Sequence, residues 1–131
     1  MFKKRIRILI VEDNKAVLQT TAECLRSELK DLGITADIHF AEDGFEAIPL
    51  CRQMSYDLIL MDMIMKKIHG EETIRKIRSN INGKNARIAI LSGYEDNEAI
   101  PKCVEEKLVD NKIFYKPVDF QQLAKYIQEN V

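Results

Sequence analysis

Three carboxylates and one lysine stand where they could do chemistry together. Asp62 closes the apolar run Asp57-Leu58-Ile59-Leu60-Met61, and the pair Glu12-Asp13 closes another, Ile6-Arg7-Ile8-Leu9-Ile10-Val11. Apolar runs without polar alternation suit strands buried on both faces of a parallel sheet. Such strands release their C-terminal residues at one edge, where open α/β sheets place their chemistry. If the first and third strands are neighbours, the three carboxylates crowd together. That is costly unless a cation neutralises them. Mg²⁺ is the natural choice, because it takes carboxylate and water oxygens and leaves positions for phosphate oxygens. One carboxylate could then attack a phosphoryl group and form an aspartyl phosphate. A lone strand-end carboxylate is more simply a solubilising cap or the start of a turn. Three at two strand ends, with a lysine to match, point to a shared site.

Lys116 is that lysine, at the end of a fifth strand-like run and just before Pro117. Its ammonium could pair with Asp62 at rest and with a phosphoryl oxygen afterwards. Pro117 restricts Lys116 to extended backbone; a cis Lys116-Pro117 bond is possible, although most such bonds are trans. Ser92 ends the fourth run, and its hydroxyl could donate to a phosphoryl oxygen on Asp62. The simpler reading is a turn, since Gly93 follows. Leu91-Ser92-Gly93-Tyr94 is not the elbow of a serine hydrolase. Tyr115, next to Lys116, points to the other side of its strand, either into the core or between exposed and buried positions. His39 and His69 lack metal-ligand spacing and read as structural or exposed. The first strand is followed by Glu12-Asp13-Asn14 rather than a Gly-rich phosphate loop, which counts against a dinucleotide domain.

These residues need a frame, and the chain alternates strand and helix signals. Strands are expected at Ile6 to Val11, Ala36 to Ala41, Leu58 to Met61, Ala86 to Leu91 and Lys112 to Tyr115. The first helix, Asn14 to Leu32, carries a stripe of Val17, Leu18, Thr21, Cys24, Leu25, Leu29 and Leu32, with Gly33 as its C-terminal stop. A second opens at Asp43 or Gly44 and bears Phe45, Ala47, Ile48, Cys51 and Met54, with Pro49 expected to kink or shorten it. A third follows Gly70 with Ile74 and Ile77, and Asn82 to Asn85 is a loop. The fourth, Glu95 to Leu108, contains Pro101, and the last runs from Asp119 to Glu129. Five βα units with right-handed crossovers make an α/β, doubly wound parallel sheet with helices on both faces.

The 131 residues suffice for one domain, residues 1–131. A formal net charge of -1 offers no basic excess for nucleic acid. The basic opening Met1 to Arg5 precedes too short an apolar core for a signal peptide, and no stretch is long enough to span a bilayer. Cys24, Cys51 and Cys103 are widely spaced and odd in number, which suggests free buried thiols in a cytoplasmic protein.

Taken in order, Ile8 to Asn14, Ala41 to Ala47, Asp57 to Met65, Gly70-Glu71, Leu91-Ser92 and Lys116-Pro117 resemble the receiver (response regulator, chemotaxis-Y-like) domain of two-component signalling. The resemblance covers roughly Arg5 to Gln128, and Leu60 to Arg78 is especially similar to receivers of hybrid sensor histidine kinases. It implies a flavodoxin-like (βα)5 fold with strand order 2-1-3-4-5. Asp62 would be the phosphoacceptor. Glu12, Asp13 and Asp62 would hold Mg²⁺, with the Met63 backbone carbonyl as a further ligand. Ser92 would be the switch hydroxyl, Tyr115 the switch aromatic, and Lys116 the phosphate-contacting cation. The donor would be a histidine kinase or histidine phosphotransfer protein. Readout would run through the face of the fourth helix, fifth strand and fifth helix, and a phosphorylation-dependent dimer is admitted. The chain would load itself and slowly hydrolyse the product, rather than act as a conventional turnover enzyme.

Departures from the pattern touch loops rather than reacting groups. Lys66 stands where proline is usual, His69 replaces an aspartate, Gly93 replaces an alanine, and Val109 to Lys112 lacks a glycine. Ile64 and Tyr94 would flank the pocket and obstruct hydrolytic water, which suggests a long-lived phosphoryl group. Two other readings compete: a non-phosphorylated binding module, and a phosphatase with Asp62 as nucleophile. The full set of polar groups argues against the first; the lack of a second acid/base near Asp62 argues against the second.

Overall fold

Five parallel strands, in the order β2-β1-β3-β4-β5, carry the chain back and forth between helices. The computed structural model describes residues 4–63, 68–93, 99–110 and 112–131. The elements are β1 Lys4–Val11, α1 Lys15–Asp31, β2 Ile34–Ala41, α2 Gly44–Gln53, β3 Leu58–Asp62, α3 Gly70–Arg78, β4 Arg87–Ser92, α4 Ala99–Glu105, β5 Ile113–Tyr115 and α5 Phe120–Asn130. This is the expected doubly wound α/β fold. No described helix is long and apolar enough to cross a membrane.

The unbroken apolar runs of the central strands follow from burial on both faces. Ile8, Ile10, Leu58, Leu60, Ala89 and Leu91 face α1 and α5, where they meet Leu25, Leu29, Leu123 and Ile127. The alternate residues Leu9, Val11, Ile59, Met61, Ile88 and Ile90 face the other layer, against Ile48, Cys51, Ile74, Ile77 and Cys103. Each such Leu or Ile side chain contributes about 1.5–3 kcal/mol on burial, so slipping a central strand by one residue would forfeit packing in both layers. Arg7, the one charge in the first run, sits where its backbone N–H reaches the Asp57 carboxylate at 2.8 Å, and so ties β1 to the approach of β3.

Local signals set the helix ends that matter for the site. Asn14 caps α1 by accepting the Val17 N–H at 3.1 Å, and Asp43 caps α2 by accepting the Glu46 N–H at 2.9 Å. Gly33, at φ 78°, takes the left-handed turn after α1 and donates to the Lys30 carbonyl. Pro49 lies inside α2, which ends at Gln53. The described part of α4 is shorter than expected; Pro101 falls in its first turn, where its missing N–H removes no bond within that segment. Two residues expected on inner stripes are turned outward: Phe45 is 61% and Leu32 39% exposed. Of the cysteines, Cys51 and Cys103 are buried and free, while Cys24 is half-buried.

Candidate active site

The register explains why the carboxylates meet. Val11 of β1 pairs with Met61 of β3, so the next residues, Glu12 and Asp62, emerge level with each other at the C-terminal edge. Asp13 follows Glu12 before α1 begins. Ligand-capable oxygens of Glu12, Asp13 and Asp62 lie within 4.8 Å of one another. Glu12 and Asp62 are 3% and 6% exposed, and Asp13 is half-buried. Glu12 is fixed through its backbone, whose N–H donates to the Ala41 carbonyl at 3.0 Å.

The cation arrives from the other side. Ser92 of β4 pairs with Tyr115 of β5, and the next N–H, that of Lys116, donates to the Ser92 carbonyl at 2.6 Å. The Lys116–Pro117 peptide bond is cis. From there Lys116 Nζ donates to Glu12 Oε2 at 2.8 Å and lies 3.6 Å from Asp62 Oδ2. The closer partner is therefore Glu12 rather than the Asp62 expected from the sequence. Burial alone would push the ammonium down. The bond to Glu12 and the charges of Asp62 and Glu12 outweigh it and hold the group above the ordinary lysine value.

Ser92 is buried at the end of β4, and its hydroxyl donates to the Gly93 carbonyl at 3.2 Å. Tyr115 is 64% exposed, which removes the core alternative for its ring in this structure. The Met63 carbonyl accepts the Gly70 N–H at 3.2 Å, so the start of α3 is tied to the turn after Asp62. Gly70 is required there: a Cβ on it would lie 2.8 Å from Met63 Cα and 3.0 Å from the Asp62 carbonyl oxygen. The sequence places Gly70 just before a helix, whereas it is the first residue of α3, and the demand for close approach appears only once the turn is in place.

The two histidines stay outside this site: His39 Nδ1 and the Tyr56 hydroxyl lie 2.9 Å apart, and His69 is exposed just before α3. Asp110, in the segment without the usual glycine, is anchored by its N–H to the Ile88 carbonyl at 2.8 Å. Ile64, Lys66 and Tyr94 lie outside the described residues.

The arrangement can hold a hard divalent cation. Among the described residues, three clustered carboxylates with a single ammonium leave excess negative charge in a largely buried place, and carboxylate oxygens are the donors such an ion prefers. A carboxylate with an ammonium 3.6 Å away is an arrangement that suits phosphoryl chemistry.

Fold and site together define a class, doubly wound α/β domains with an acidic pocket at the C-terminal ends of the strands. Residues 8–128 match the model of the response regulator receiver domain, and the chain belongs to that family. It is 40% identical over 89 residues to Histidine kinase 5 of Arabidopsis thaliana, a match that takes in 68% of the chain and 9% of the kinase. It is 27% identical to a probable chemotaxis protein CheY of Rhizobium etli, over 95% of the chain and 92% of that protein. Among solved structures, the receiver domain of the sensor histidine kinase PA1611 of Pseudomonas aeruginosa superposes with a TM-score of 0.73 at 27% identity, covering 95% of this chain and 96% of that one. That domain carries a magnesium ion coordinated in its active-site cleft. The chain is thus a receiver domain of two-component signalling, and it spans only about a tenth of the kinase's length.

Proposed function

We propose that Asp62 accepts a phosphoryl group from a phosphohistidine on a histidine kinase or histidine phosphotransfer protein. The observation that carries this reading is the meeting of Glu12, Asp13 and Asp62 within 4.8 Å, with Lys116 Nζ 3.6 Å from Asp62. An Asp62 oxygen attacks phosphorus in line with the imidazole nitrogen. The P–N bond breaks as the O–P bond forms, and the imidazole keeps the electron pair. Lys116 moves from Glu12 toward a phosphoryl oxygen, a short step for a side chain already between the two carboxylates. The Ser92 hydroxyl exchanges the Gly93 carbonyl for another phosphoryl oxygen. Glu12, Asp13, Asp62 and the Met63 carbonyl would hold Mg²⁺, which when bound supplies positive charge against the cluster and the transferring group.

The readout follows from what those two movements disturb. Ser92 and Tyr115 are paired in register, so a change at Ser92 is felt at the end of β5 and beside α4 and α5. That face then presents a different surface to a downstream partner. Intact mass after incubation with acetyl phosphate and Mg²⁺ tests the reading: wild type gains one phosphoryl group, and Asp62→Asn or chelation of Mg²⁺ abolishes the gain. A folded wild type that stays unmodified both with acetyl phosphate and with a panel of phosphorylated histidine phosphotransfer proteins overturns it.

A further inference from the structure

The opposite, N-terminal edge of the sheet holds a second charged site of opposite sign. A cavity of 270 Å³ is lined by Arg78 at the end of α3, Lys84 and Asn85 in the following loop, Arg87 at the start of β4, and Lys107 and Asp110 beyond α4. Four cationic side chains face one carboxylate, that of Asp110, whose Oδ2 accepts both Arg87 Nη1 at 2.6 Å and the Tyr126 hydroxyl. Among the described residues Arg78 forms no ion pair with a carboxylate. Its fork donates to the carbonyls of Leu108 at 2.9 and 2.7 Å, Gly83 at 2.8 Å and Lys84 at 3.2 Å, which occupies lone pairs that would otherwise repel an anion. Burial pushes the Arg78 guanidinium down, and the charge of Asp110 partly offsets this. Lys84 and Lys107 form no ion pair among the described residues.

Lys107 supplies an independent observation. It sits at φ 59°, with its N–H on the Val104 carbonyl and the Leu108 N–H on the Cys103 carbonyl. This is the left-handed helix stop that glycine fills without cost and an L-residue fills under strain. The strained residue is a lysine on the rim of the cavity, and strain tolerated at a charged position is a pointer to function.

We propose that this cleft binds a small anion bearing a diphosphate group, either free or carried on a nucleoside. The Lys84 and Lys107 ammonium groups match phosphoryl oxygens, and the Asn85 amide can add a neutral donor; the Arg78 and Arg87 guanidinia, held by carbonyls and by Asp110, add positive charge behind them, and the volume exceeds what one phosphate needs. The site is separate from the acidic pocket, which repels the same anion in the absence of a divalent cation.

Isotope-edited NMR in EDTA at fixed ionic strength, titrated with pyrophosphate and then with ADP, tests the proposal. The expected result is saturable shifts of the amides of residues 84–87 and 107–110. Lys84→Ala should weaken binding by about tenfold, the loss of one charge-assisted hydrogen bond. Lys107→Gly should weaken it similarly while raising the melting temperature, because it removes the strain along with the charge. A general loss of fold cannot produce that combination. Tighter binding of ADP than of pyrophosphate identifies the nucleoside-borne source, and equal or weaker binding the free anion. Non-saturating shifts, shifts confined to other surfaces, or a Lys107→Gly protein that binds as tightly as wild type would overturn it.

Discussion

Removing the Lys116 charge isolates the electrostatic logic of the active site. Lys116→Met keeps most of the stem and deletes the ammonium that stands 2.8 Å from Glu12 and 3.6 Å from Asp62. At an effective dielectric constant near 20, those distances correspond to gross attractions of about 6 and about 5 kcal/mol. Desolvation offsets much of this, and loss of one partner from a buried pair costs about 3–5 kcal/mol. The Lys116 side chain is 29% exposed, which places the net loss at the lower end, about 3 kcal/mol. In Mg²⁺-free urea denaturation near neutral pH, with a slope of about 1.5 kcal/mol/M, the midpoint should fall by about 2 M. Saturating Mg²⁺ should recover much of the loss by binding only the native cluster. The pH dependence has a definite sign. Because the folded pKa of Lys116 is raised above 10.5, its contribution is complete below that value and is lost only as pH climbs through the folded pKa. The gap between wild type and variant should therefore hold from pH 7 to 10 and close above it. A loss below about 0.5 kcal/mol, or Glu12→Gln and Lys116→Met effects that simply add in a double-mutant cycle, would refute this reasoning.

Three further outcomes are expected. Gly70→Ala drives a Cβ to 2.8 Å from Met63 Cα, so the turn carrying the Met63 carbonyl must shift; Mg²⁺ affinity by titration should fall about tenfold, with about 2 kcal/mol lost in thermal unfolding. Arg78→Lys cannot reproduce the fork onto the Leu108, Gly83 and Lys84 carbonyls and should cost about 2–3 kcal/mol in denaturant unfolding. Burial holds the Cys51 thiol up to about 12 and also raises that of Cys103, so a thiol reagent at pH 8 should label native protein rapidly at Cys24 alone, and all three cysteines only after unfolding.

The acidic site was legible because it depends on where apolar runs stop. Glu12, Asp13, Asp62, Ser92 and Lys116 each follow or end such a run, and a parallel sheet brings run ends to one edge whatever the loops do. The finer partnerships were not legible. That Lys116 reaches Glu12 before Asp62 depends on side-chain paths across β1, β3 and β5. Phe45 and Leu32 fit the inner stripes by count, yet one lies in the first turn of α2 and the other just past α1, where the helix face has left the core. Nothing in the spacing singles out Arg78 at the end of α3; only the folded chain brings the carbonyls of Leu108 and Gly83 to its fork.

The most direct test is chemical trapping of the phosphorylated residue. Protein treated with acetyl phosphate and Mg²⁺ is reduced with borohydride, which converts an acyl phosphate to an alcohol, and its peptides are mapped by mass spectrometry. The expected product is homoserine at position 62 and nowhere else. Reduction at Glu12 or Asp13, or a phosphoryl group that resists borohydride, would contradict the assignment of Asp62 as the phosphoacceptor.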